Sequence, residues 1–199
     1  MNAGPDLAAD SNRALTAGVA LLERAIDYAL GSLRIVTPNA LCRPTPCSGW
    51  TLRHLLEHMH DSLQTLNEAA TTHHIPAQTT HTTALALRDD ALEVLGRWAA
   101  LLTDRTVSIG DRHLTSPMVA AVGAIEISVH AWDVAGACGE HHPIPPLLAE
   151  ELLDLALLFV TRADRPQRFA PPVRVPECAP AQDHLLAYLG RHPDWFVHN

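Results

Sequence analysis

Apolar residues recur at three- and four-residue steps in successive stretches of the chain, which is the spacing of one face of a helix. Leu15, Val19, Leu22, Ile26, Leu30 and Leu33 predict a first amphipathic helix over about residues 6 to 35, ending before Pro38. Three prolines, Pro38, Pro44 and Pro46, mark the connection between Thr37 and Gly49. Leu52, Leu55, Leu56, Met59, Leu63 and Leu66 then set a second helix, with Ser48 or Thr51 as its cap. Residues 71 to 83 have no period, and Leu87, Ala91, Val94, Leu95, Trp98 and Leu102 define a third helix. Gly110 and its polar neighbours separate it from a fourth, which starts with Ser116 at the N-cap and Pro117 in the first turn and runs to about Cys138. A fifth is expected over about 146 to 163, followed by an extended Pro-rich stretch from Phe169 to Pro180 and a short terminal helix from about Gln182 to Arg191. Four long helices with modest connections predict an all-α fold, an antiparallel four-helix bundle with the fifth helix and the C-terminal tail packed on its outside. The reading is one domain over residues 1 to 199, with no internal repeat.

Composition narrows the function classes. A chain of 199 residues buries enough surface, roughly 70% of what it exposes unfolded, to need neither disulfide nor structural metal for stability. A metal here would therefore be functional. The formal charge of −8 argues against a nucleic-acid partner, which needs a basic face. No apolar run approaches the roughly 18 residues of a membrane span, and the N-terminus has no charged region ahead of an apolar one, so a cytoplasmic protein away from membranes is expected. Cys42, Cys47, Cys138 and Cys178 form no C-x-x-C and read as reduced, packed thiols. Trp50 and Trp132 read as core aromatics.

The fourth helix carries the chemistry. A wheel places Met118, Val119, Val122, Ile125 and Val129 on one apolar arc, with Glu126 and Asp133 inside it and His130 at its edge. Buried carboxylates must be paired, protonated or bound to a cation. Glu126 and His130, one turn apart, can share a divalent ion, and the alternative of a packing ion pair stands beside it with about equal weight. A further ligand must come from elsewhere: His54, His58 or His60 on the second helix, or His73, His74 or His81 in the following loop, which could also cover the site as a lid. His58 lies on the order of 120° from its helix's apolar centre, so periodicity does not select it.

The run Pro44-Thr-Pro-Cys47-Ser-Gly-Trp50-Thr-Leu-Arg53-His54-Leu-Leu-Glu-His58 resembles the signature of the mycothiol-dependent maleylpyruvate isomerase N-terminal domain, within the DinB-like superfamily. Glu126-Ile-Ser-Val-His130-Ala-Trp132-Asp133 resembles that family's second signature, and the tail from Phe169 to Arg191 is similar to a branch of short single-domain relatives. The resemblance implies a DinB-like bundle and one divalent metal, usually zinc, on His58, Glu126 and His130. Nickel, cobalt and iron suit the same donors. It also implies a low-molecular-weight thiol such as mycothiol as co-substrate, a small-molecule substrate, and allows a homodimer. The chain is expected to lack the isomerase's C-terminal domain, so thiol chemistry rather than maleylpyruvate isomerisation itself is implied.

Three protein ligands leave a position open, as in catalytic sites. The expected function is a metal-dependent enzyme using that thiol for S-transfer or isomerisation on an electrophile. Asp133 is expected to accept the free ring N–H of a ligand histidine, or to anchor the helix through an arginine. The alternatives are a thiol-independent hydrolase or cyclase, and a bundle that binds metal or ligand without catalysis.

Overall fold

A computed structural model describes residues 4–71, 83–101, 106–109 and 112–195. The loop histidines His73, His74 and His81, together with Leu102 and Gly110, lie outside the described residues. Among the described residues the protein is all-α apart from one small hairpin. Its helices are α1 (Gly4–Leu33), α2 (Leu52–Ala70), α3 (Ala84–Ala99), α4 (Ser116–Cys138), α5 (Pro146–Phe159) and α6 (Ala181–Tyr188).

Each helix end has a local cause. Thr51 caps α2 through a reciprocal box: its hydroxyl accepts from the His54 backbone N–H while His54 Nδ1 accepts from the Thr51 N–H. This places His54 at the helix start and away from the ligand cluster described below. Thr83 caps α3 by accepting from Ala86 N–H. Gly139 ends α4 at φ +80°, a left-handed conformation that side chains other than glycine adopt at a cost. The fifth helix stops at Phe159 rather than near 163, because Val160 turns extended and Thr161 caps a separate 3-10 turn, Arg162–Asp164. There the Thr161 N–H donates to Asp164 Oδ2 at 2.9 Å, a side-chain bond that competes with helix continuation.

α1 packs on α4 and α3, and α2 packs on the same two helices, so the four long helices close a ring. α5 lies against α4, and α6 against α5. One hydrophobic cluster runs from Leu15 to Leu189 and holds Trp98 and Trp132 fully buried. The Trp98 indole N–H donates to Leu66 O at 3.1 Å, which satisfies a polar atom inside that core. His60 and Asp90 join α2 to α3 at 2.8 Å, so His60 is committed there.

Two features differ from the sequence reading. A two-stranded antiparallel hairpin, β1 (Thr106–Ile109) and β2 (Arg112–Thr115), pairs Val107 with Leu114 and leads directly into α4, where Thr115 rather than Ser116 holds the cap position. α4 is also buried on nearly every side. Against the expectation that no apolar run approaches a membrane span, it is long and apolar enough to cross one by composition, yet 83% of that stretch is covered by the rest of the protein. The assigned inward arc does not hold, because Val122 is 41% exposed. When almost every position is apolar or small, a wheel has no polar side from which to orient the helix.

Candidate metal centre

The stripe of α4 that reaches the surface carries Val122 and Glu126. One turn further His130 turns inward, and Asp133 is completely buried. The neighbouring α2 presents His58 across this stripe. Its Nε2 lies 2.6 Å from Glu126 Oε1, while His130 Nε2 lies 3.2 Å from the same oxygen. The three donor atoms all fall within 4.8 Å of one another. Two tetrahedral donors on a zinc ion stand about 3.4 Å apart, so these atoms are close enough to share one divalent cation with small side-chain adjustments. Both imidazoles offer Nε2, and their rings meet edge to face with centroids 5.0 Å apart. Ser62 Oγ donates to Glu126 Oε1 at 3.4 Å.

Burial grades across the cluster. The His58 and Glu126 side chains are 36% and 29% exposed, His130 only 8%. The donors therefore form a recess with one open side. Trp50 borders it: its ring is edge-on to His58 at 5.0 Å and roughly parallel to His130 at 6.5 Å. The sequence reading placed Trp50 in the core, but it is 36% exposed, because Gly49 at φ +79° turns the chain just before α2.

Behind His130 lies a second set of groups. His130 Nδ1 is 2.9 Å from Asp133 Oδ2, and Arg191 Nη2 donates to that oxygen at 2.9 Å. The Cys47 thiol donates to it at 3.2 Å and accepts from Arg191 Nη2 at 3.3 Å. Burial alone would push the Asp133 carboxyl up, but the Arg191 charge and the His130 bond outweigh it and hold it down to about 2. An ionised carboxylate only accepts, so His130 Nδ1 carries the proton and Nε2 faces Glu126. Burial opposes charge on Glu126 and His130 as well. Their mutual attraction, with the Asp133 and Cys47 bonds to the ring, wins: Glu126 lies well below and His130 well above the ordinary value.

Cys47, His130 and Asp133 form a second trio with metal-ligand chemistry. The Arg191 guanidinium already supplies their cation, touching both the sulfur and the carboxylate. Sequence reasoning treated Cys47 as a packed thiol and did not single out Arg191 for the site. Neither has a local signal, since Arg191 stands 58 residues from Asp133. A groove lined by Leu21, Met118, Leu155 and Phe159 between α1, α4 and α5 contains none of these residues and is no part of the centre.

A family model described as the mycothiol maleylpyruvate isomerase N-terminal domain matches residues 22–135, a stretch that includes Cys47, Trp50, His58, Glu126, His130 and Asp133. Two uncharacterized proteins of Mycobacterium tuberculosis, from strains CDC 1551 / Oshkosh and ATCC 25618 / H37Rv, are each 29% identical over 177 residues, covering 85% of this chain and 94% of theirs. No solved structure matches the chain significantly.

Proposed function

Because the chain belongs to the mycothiol maleylpyruvate isomerase N-terminal domain family, we propose that it is a divalent-metal-dependent enzyme that uses a low-molecular-weight thiol of the mycothiol class for S-transfer or isomerisation on an electrophilic small molecule. The observation that carries this reading is the convergence of His58 Nε2, Glu126 Oε1 and His130 Nε2 on one side-open recess. A donor set of two imidazoles and one carboxylate suits zinc and its neighbours.

A divalent ion held by these three would supply a Lewis acid able to lower the pKa of a small thiol, which free in water titrates near 8.5. The chain's own residues do the rest. Glu126 brings the one anionic donor to the recess, and Ser62 restrains it. Asp133 holds the proton of His130 on Nδ1, so it is the Nε2 proton that would leave when an ion binds. The exposed ring of Trp50 gives the recess one apolar wall against which a substrate can lie. All four cysteines carry free thiols, in keeping with a cytoplasmic setting where small thiols stay reduced.

The test is elemental analysis of the untagged protein and of folded His58→Ala, Glu126→Ala and His130→Ala, followed by thiol titration of the cobalt(II)-loaded form. The expected result is about one equivalent of metal in the wild type only, and an absorption spectrum that changes when mycothiol or N-acetylcysteine is added. A folded wild type that takes up no divalent ion overturns the metal reading, and a cobalt spectrum indifferent to thiols overturns the thiol reading.

A further inference from the structure

Arg191 reaches the centre from beyond the family-matched residues 22–135. It follows α6, where Gly190 takes φ +83° and lets the Arg191 N–H bond back to Leu186 O at 2.8 Å. That turn aims the side chain into the protein. Its Nη1 donates to Leu189 O at 3.0 Å, its Nε to Asp133 Oδ1 at 3.5 Å and its Nη2 to Asp133 Oδ2 at 2.9 Å. The residue is only 8% exposed, and Asp133 is not exposed at all.

A guanidinium fork against both oxygens fixes the plane of a carboxylate as well as its position. With that plane set, Oδ2 is left pointing at His130 Nδ1 and the Cys47 thiol. Resting on the metal-site reading above, we infer that Arg191 is a positioning residue for the metal centre: it clamps Asp133 so that His130 is held with Nε2 toward Glu126 and His58. The C-terminal segment therefore completes a site whose ligands all lie within residues 58–130. The arrangement also accounts for the place of Cys47, whose sulfur bridges the guanidinium and the carboxylate.

The test uses the full chain as wild type, Arg191→Met, Arg191→Lys, and the combination of Arg191→Met with Asp133→Asn. The combination leaves no unpaired buried charge, which guards against a variant that fails to fold. Circular dichroism checks the fold, competition with a chromophoric chelator gives the zinc affinity, and cobalt(II) absorption reports ligand geometry. Nitrogen-15 NMR of the histidine rings follows the His130 Nδ1–H proton in metal-free protein. Loss of an outer hydrogen-bond partner costs about 10- to 100-fold in metal affinity. The expected result is a loss of that size in the folded combination, with an altered cobalt spectrum, loss of the exchange-protected Nδ1–H signal, and partial recovery in Arg191→Lys. Wild-type affinity, spectrum and signal in the folded combination would overturn the inference. If the wild type binds no metal, the proposed function fails, and the Nδ1–H signal of Arg191→Met, which keeps Asp133, still decides whether Arg191 positions His130.

Discussion

Replacing His58 with alanine separates a metal ligand from a structural histidine, and thermal melting reads the difference. In metal-free protein the polar partner of His58 is Glu126, in a pair whose side chains are 36% and 29% exposed, and the His58 ring meets those of Trp50 and His130 edge to face. A pair that open to solvent contributes under about 1 kcal/mol. At roughly 2–4 °C per kcal/mol for a chain of this size, the metal-free variant should melt within about 4 °C of the wild type. Metal changes the comparison. At a free zinc concentration about 1,000 times Kd, binding stabilises the folded state by about 4 kcal/mol, a rise of roughly 8–16 °C. Four-ligand zinc sites yield about 10–16 kcal/mol, or roughly 2.5–4 kcal/mol per ligand. Losing His58 should thus weaken binding by roughly two to three decades. At the same zinc concentration the variant then gains about 0.4–1.4 kcal/mol, a rise of no more than roughly 6 °C. Melting curves with chelator and with buffered zinc test this directly. A zinc-induced rise in His58→Ala equal to that of the wild type would show that the ion sits elsewhere. A large loss in chelator alone would show that His58 serves the fold.

Three further substitutions probe the surroundings. Cys47→Ser should keep the full metal content, since Arg191 already supplies the cation to the Cys47, His130 and Asp133 trio; metal lost with Cys47 and kept without His58 would move the ion to that trio. Gly190→Ala should lower stability by about 1–3 kcal/mol, because a Cβ there meets Ala170 backbone at 2.8 Å and the φ of +83° is strained for alanine. It should also weaken zinc binding by displacing Arg191; unchanged urea midpoint and zinc affinity would refute both. Tyr28 is buried, which together with the Asp133 charge pushes its phenol well above the ordinary value, and its hydroxyl donates to His142 O at 2.6 Å. A raised folded pKa contributes stability that is complete below the unfolded value near 10 and fades as pH rises past it. Wild-type stability should therefore fall between pH 9 and 11, with a smaller share from the Cys138 thiol, also pushed up by burial. Tyr28→Phe should cost about 1 kcal/mol at pH 7 and flatten that alkaline decline; equal slopes in urea titrations would contradict the argument.

The helices were legible where one side of each is polar. α1, α2 and α3 carry clear apolar stripes, and their ends came within a few residues of the observed ones. α4 was legible as a helix but not in its orientation, since surrounding it on nearly all sides removes the polar face that a wheel needs. His58 fell on no apolar arc because it stands at the rim of the core, its side chain 36% exposed. The hairpin had a signal that went unused: Thr106-Val-Ser-Ile and Arg112-His-Leu-Thr flank Gly110-Asp111, a two-residue connection of the kind that favours tight hairpins. Arg191 had none nearby. The one clue was that a buried Asp133 requires a cation, and periodicity does not say which of 14 arginines provides it.

Charge balance links the inner and outer groups into one device. Ligation requires both imidazoles neutral, so the two carboxylates of Glu126 and Asp133 against the Arg191 guanidinium leave a single negative charge. Without Arg191 there would be two, and a divalent cation would then be matched in full by the protein, with little drive to recruit an anionic partner. With Arg191 in place, a divalent cation leaves one positive charge in a cluster whose inner members, His130, Asp133 and Arg191, are all under 10% exposed. Uncompensated charge is costly at that depth. On the proposed metal reading, the recess would therefore favour a partner that arrives neutral and gives up a proton readily. Among small biological nucleophiles a thiol fits that description better than an alcohol or an amine, as its proton leaves near pH 8.5 even unaided. On the proposed metal and thiol reading, the guanidinium that steadies His130 therefore also sets the charge of the recess.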